Sequence, residues 1–353
     1  MQKSKKVSIF VGLMSLVVLL TVFLTGCNKN KYFDMVSSYT FWENDGSTAI
    51  AQTHVYDMVK EHMENDNDKE KKVLLLGFDG TIAEALVNVR PSGVLDKDGN
   101  DIYSGDNPKA KFSAINHIVD DLGGKMYLAY AGGDVKENFQ APSTAPGWAS
   151  ISTGSWGTKN GVINNPNPEG TENIKNLDKK TFMLEYAEKG LNTIFMASWS
   201  AHSLTYKNEI EYIKKNNLPM EYFIAEDDYK VHNKILSCVS ENSSDEKDVI
   251  FCIYDWADHN GHGSGFTNDN KNYVNAVRNN DNLMYEVIKT VESRPSYENE
   301  DWLIILTADH GGIKQWHGEQ NPECRTTFII TNKPNLVKTE YYGKNYDGYK
   351  ENN

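Results

Sequence analysis

Six short apolar runs limit the folds open to this chain: residues 73–78, 125–131, 193–197, 248–254, 302–307 and 326–331. They are rich in β-branched, aromatic and large aliphatic residues. Several lack the polar alternation of a half-exposed strand, so they read as strands buried on both faces. Helical stretches separate them, among them residues 179–189 and 273–294, and an amphipathic pattern covers 48–64 through Ile50, Val55, Met58 and Met63. Strands alternating with helices predict a single α/β domain, a mostly parallel central sheet with helices on both faces.

The composition agrees with a globular chain. Of 353 residues, 39% are hydrophobic and 24% charged, which excludes disorder and fibrous repeats. The net charge of −13 argues against a nucleic-acid partner held by phosphate neutralisation. Lys3, Lys5 and Lys6 precede an apolar run over residues 7–23 that ends in Leu24-Thr25-Gly26-Cys27. A basic flank, a short apolar core and small residues before a Cys have the form of a signal peptide, and the ending resembles a bacterial lipobox. The expected organisation is a signal peptide over 1–26, lipidation of Cys27, a tether over 27–47, a catalytic domain over 48–340 and a polar tail over 341–353. The protein would then lie outside the cytoplasm, lipid-anchored to the outer face of the membrane. Residues 90–111 read as an inserted loop. Cys238, Cys252 and Cys324 have no metal-type spacing and allow at most one disulfide; Cys252 reads as a core residue.

Three of the runs end in carboxylates: 73–78 in Asp79, 248–254 in Asp255 and then Asp258, and 302–307 in Asp309. Strand ends of this kind form the ligand crevice of open α/β sheets. Four of the nine histidines fall in the same short stretches, as His259, His262, His310 and His317. Carboxylate oxygen and neutral imidazole nitrogen are donors for zinc and similar cations. Asp79, Asp258, His262, Asp309, His310 and His317 therefore make six candidate ligands, three for each of two divalent ions. A hydroxyl nucleophile is offered by Ser143-Thr144-Ala145-Pro146, which reads as the start of a helix, where a developing oxyanion is favoured.

These motifs, in this order, resemble the alkaline phosphatase superfamily, and within it the type I phosphodiesterase and nucleotide pyrophosphatase branch. Gly77-Phe78-Asp79-Gly80, Thr144-Ala145-Pro146, Asp258-x-x-Gly261-His262, Asp309-His310-Gly311 and His317-Gly318 carry the likeness, which extends over residues 72–335. The resemblance implies a zinc held by Asp258, His262 and His317, a second held by Asp79, Asp309 and His310, and Thr144 as a transiently phosphorylated nucleophile. It also implies an Asn twenty-one positions beyond the Thr, donating to a phosphoryl oxygen. Asn165 stands there, beside Asn164. The implied substrate is a small phosphodiester or nucleotide. Ala257, Gly147 and Trp148 depart from the family pattern and are expected to bear on the leaving-group pocket more than on the metals.

Sulfatases share the scaffold but need a Cys or Ser at the head of a Cys/Ser-x-Pro-x-Arg motif. Here Thr144 and Trp148 occupy those positions. A phosphomonoesterase would use the same six ligands with an Arg on the dianion. Arg90, Arg278, Arg294 and Arg325 all lie away from the motifs, which favours a diester. A solute-binding lipoprotein, the non-enzymatic alternative, has no need of six ordered ligands.

Overall fold

The computed structural model describes residues 49–89, 112–133, 138–166 and 177–338. The segments expected as signal peptide, tether, insertion at 90–111 and tail, with Cys27, lie outside the described residues.

One sheet is formed by β1 (Ile50–Ala51), β2 (Glu70–Phe78), β3 (Lys125–Tyr130), β4 (Thr193–Ala197), β5 (Met220–Ile224), β6 (Val249–Tyr254), β7 (Glu300–Thr307) and β8 (Thr326–Thr331). Their order is β1-β3-β8-β7-β2-β6-β4-β5. Only β8 runs against its neighbours, pairing antiparallel with β3 and β7. The other pairings are parallel, as the unalternated runs require.

The longer helices among the described residues are α1 (His54–Glu64), α2 (Ala83–Val89), α3 (Thr144–Thr153), α4 (Phe182–Glu188), α5 (Lys207–Asn216), α6 (Asp228–Val239), α7 (Trp256–Ser264) and α8 (Lys271–Glu292). Both faces of the central strands are buried. Val73, Leu75, Phe251 and Ile305 pack with Val55 and Met58 of α1, Trp148 and Ile151 of α3, and Phe182 of α4. On the other face His232 of α6 meets the Tyr254 hydroxyl, and the Tyr273 hydroxyl of α8 donates to the Gly80 carbonyl.

Two short strands escape the sequence pattern. Ile50, expected in a helix, lies in β1, and the helix begins at His54. Strand β5 sits at the sheet edge and is mostly half-buried, so it lacks the apolar run that marks the central strands. Among the described residues no helix is long and apolar enough to cross a membrane. Cys238, Cys252 and Cys324 are buried free thiols.

Candidate active site

Strand order explains why residues far apart in sequence meet. β7, β2 and β6 are neighbours in the sheet and run the same way, with about 4.8 Å between adjacent strands. Asp79 directly follows β2, Asp255 directly follows β6, and Asp309 stands two residues past β7. Asp258 and His262 are four residues apart on α7, which places them on one helix face.

Thr144 is the first residue of α3, whose N-cap is Ser143. Its Oγ1 lies 3.3 Å from His310 Nε2 and 3.5 Å from Asp79 Oδ1. The approach depends on a missing side chain: a Cβ on Gly147 would stand 2.6 Å from the Asp309 Cβ and carbonyl oxygen. Gly80, with φ +61°, likewise has no room for a Cβ beside Asp258, and its N–H donates to Asp309 Oδ1. Trp148 is fully buried and donates from Nε1 to Asp79 Oδ2 at 2.9 Å. Gly147 and Trp148 thus support the carboxylates instead of shaping a leaving-group pocket, because α3 packs its first turn directly on the strand ends. Ala257 is also fully buried.

In the neutral form that a bound cation would enforce, the imidazoles of His310 and His262 accept at Nε2 and do not donate. His310 Nδ1 donates to the Gly311 carbonyl at 2.6 Å, and His262 Nδ1 donates to the Gln315 carbonyl at 2.8 Å. A carbonyl only accepts, so each neutral ring presents a lone pair at Nε2. His310 Nε2 faces Asp309 Oδ2 at 3.3 Å and Asp79 Oδ1 at 3.5 Å. His262 Nε2 faces Asp258 Oδ2 at 3.3 Å and His317 Nε2 at 3.1 Å. Asp258 Oδ1 and Asp309 Oδ2 are buried without a hydrogen bond among the described residues. Acceptors converging on acceptors fit divalent cations. Ligand atoms of Asp258, His262 and His317 lie within 4.8 Å of one another, as do those of Asp79, Asp258 and His310. Asp258 belongs to both groups, and Asp309 adjoins the second through His310.

Crowded charge perturbs every member. Burial, then the Asp258 charge, raises Asp79, and burial, then Asp79, raises Asp309 well above the usual carboxylate range. Burial opposes protonation of His310, but Asp309 and Asp79 outweigh it and lift the ring to about 10. His317 is pushed down to about 3 by burial and the His310 charge. Asp258 is held down against its burial by the His262 hydrogen bond, which raises His262 in turn.

Asn165 reaches α3: its Oδ1 accepts the Ala145 N–H at 2.8 Å, while Asn164 is exposed. Two contributors, Trp148 as a donor and Asp228, escape the sequence reading, and a third, Asp255, stands in it as a strand-end carboxylate outside the ligand set. Asp255 joins the carboxylate group, raised by burial and by Asp79 and Asp258; its place at the end of β6 was the available signal. The Trp148 bond to Asp79 has no signature in sequence. Nor does Asp228, whose carboxylate accepts the N–H groups of Asp255 and Trp256 at the start of α7. Arg294 is committed to Glu300 and Glu246, Arg278 donates to Asn275, and Arg325 is directed at the Ala131 carbonyl. Arg90 lies outside the described residues.

Residues 136–320 match the family model described as type I phosphodiesterase / nucleotide pyrophosphatase. No curated protein sequence matches the chain. Similar solved structures include a putative sulfatase from Bacteroides thetaiotaomicron, at 11% identity over 74% of this chain and 64% of that one, with TM-score 0.45. A phosphonoacetate hydrolase from Sinorhizobium meliloti is 13% identical over 69% of this chain and 57% of that one, with TM-score 0.44. A murine ectonucleotide pyrophosphatase / phosphodiesterase 5 is 15% identical over 68% and 57%, with TM-score 0.41. The chain thus spans less than two thirds of the length of each.

Proposed function

Because this chain belongs to the type I phosphodiesterase / nucleotide pyrophosphatase family, we propose that it hydrolyses small phosphodiesters or pyrophosphates through a phosphothreonine on Thr144. The observation that carries the reading is the meeting of two potential ligand groups beside one hydroxyl at a helix start.

In this reading Asp258, His262 and His317 hold one divalent ion, and Asp79, Asp309 and His310 hold the other. Mixed imidazole and carboxylate donors suit zinc. Two such ions, when bound, would neutralise phosphoryl charge and make the hydroxyl more acidic. Thr144 Oγ1 gives up its proton to solvent by way of the adjacent carboxylates and forms the bond to phosphorus as the bond to the leaving oxygen breaks. Water then cleaves the phosphothreonine. The Asn165 carboxamide is oriented through Oδ1 by the Ala145 N–H, and in this reading its NH₂ donates to a non-bridging phosphoryl oxygen. The absence of an Arg beside Thr144 among the described residues supports a diester over a monoester.

For the segment outside the described residues, the proposal is cleavage before Cys27, lipidation there and an extracytoplasmic, membrane-anchored enzyme. The basic flank, apolar run and Leu24-Thr25-Gly26-Cys27 ending support it.

The test compares an aryl phosphodiester with its monoester, using zinc-loaded protein and Thr144→Ala. Diester turnover well above monoester turnover, abolished in the variant, is expected. A monoester preference would replace this reading with a phosphatase, and no turnover of either would favour solute binding.

A further inference from the structure

Helix α7 has a second working face. Asp258 and His262 point toward the carboxylate cluster, whereas Trp256, His259 and Asn260 line a surface cavity of about 400 Å³. Tyr229 of α6 and Asn272, Asn275 and Asn279 of α8 complete its walls. Among the described residues no Asp, Glu, Lys or Arg lines it, in a chain where 24% of residues are charged. A ligand bound there therefore meets no permanently charged side chain among them, His259 being the one imidazole in the wall.

The walls combine two kinds of group. Tyr229 is 59% exposed and stands edge-on to Trp256, with ring centroids 4.5 Å apart and planes at 73°. The pair is anchored from below, because Asp228, the residue before Tyr229, accepts the Trp256 N–H. Opposite lies a row of amides at Asn272, Asn275 and Asn279, spaced to share one helix face. Asn is a weaker helix former than Lys, Glu or Ala, so three in a row lower the intrinsic stability of α8. The Asn275 carboxamide accepts from Arg278 and Asn260 donates to the Trp256 carbonyl, while the side chains of Asn272 and Asn279 make no hydrogen bond among the described residues.

We propose that this cavity is an accessory binding site for neutral carbohydrate. The exposed Tyr229 ring offers an electron-rich face on which the apolar C–H face of a pyranose can pack, and amides, each both donor and acceptor, match hydroxyls that are also both. The site lies behind the metal-facing side of α7, so it would hold a glycan portion of a substrate or surface without taking part in hydrolysis.

Calorimetric titration of the metal-loaded protein with maltotriose, cellotriose and triacetylchitotriose tests this. At least one should bind at a single saturable site, with affinity unchanged between about 50 and 500 mM salt. Tyr229→Ala should weaken it about tenfold. Asn279→Leu should weaken it too, and both variants should keep wild-type hydrolysis of the aryl diester. Binding of none of the three, full affinity in Tyr229→Ala, or binding abolished by salt would overturn the proposal. Because the readout is binding, failure here leaves the assignment of Thr144 untouched.

Discussion

The Asp228 carboxylate accepts the backbone N–H of Trp256 at 2.9 Å, closing the N-terminus of the helix that carries Asp258 and His262. The same carboxylate takes the Asp255 N–H and the Ser198 hydroxyl. It is fully buried, so removing it takes the acceptor from three donors at once. Asp228→Ala should cost about 1 to 3 kcal/mol of stability and also weaken zinc binding. Asp228→Asn, which keeps one acceptor oxygen, should recover part of both. A fall in melting temperature with unchanged zinc affinity would reduce Asp228 to a structural cap.

Thr144→Ala removes the hydroxyl from a site whose ligands remain. Hydrolysis of the aryl diester should fall by roughly 10³ or more, while zinc still raises the melting temperature. If Asn165 donates to phosphoryl as proposed, Asn165→Ala should lower kcat by about 10² with little change in KM, because such a bond matters most as charge develops. An equal loss through KM alone would make Asn165 a ground-state contact.

Gly147→Ala should be far worse than its exposure in sequence implies. The added methyl meets the Asp309 backbone, which cannot move without disturbing β7. Overpacking of this kind costs about 1 to 3 kcal/mol. Zinc binding should weaken as Asp309 is displaced, and a metal titration of the folded variant would show it. Wild-type zinc affinity would mean that the helix shifts instead.

Three histidines away from the site make the fold acid-sensitive. Burial lowers His54 and His62 to about 4 and His202 to about 3 from the usual 6.5. The unfolded chain therefore binds protons below about 6.5 that the native state refuses, so stability is full above that pH and falls as pH drops toward 4. Each such proton contributes up to about 1.4 kcal/mol per pH unit in the window. His202 sits among Phe195, Trp199 and Tyr206 with neither ring nitrogen hydrogen-bonded among the described residues. Denaturant midpoints from pH 7 to 5 should fall less steeply in His202→Phe, and an identical slope would show that this ring does not titrate as described.

Much of the site was readable because its chemistry is local. The ends of central strands announce themselves through unalternated apolar runs, and Asp79, Asp258, Asp309 and their histidines stand where those runs stop. Residue type and spacing alone set the strands β2, β6 and β7, the start of α3, and the four-residue step from Asp258 to His262. What lay outside that reading is nonlocal. The order β7-β2-β6 brings Asp309, Asp79 and Asp255 side by side, and only packing across the sheet selects that order. The same packing turned Gly147 and Trp148 from pocket candidates into supports for Asp309 and Asp79. It also placed Asp258 within reach of both ligand groups and put Asp228 under α7. Sequence determined which groups could act and on which elements they ride, since propensity and periodicity act over a few residues. Tertiary structure decided which of them meet, because strand pairing and burial join segments that the chain itself holds far apart.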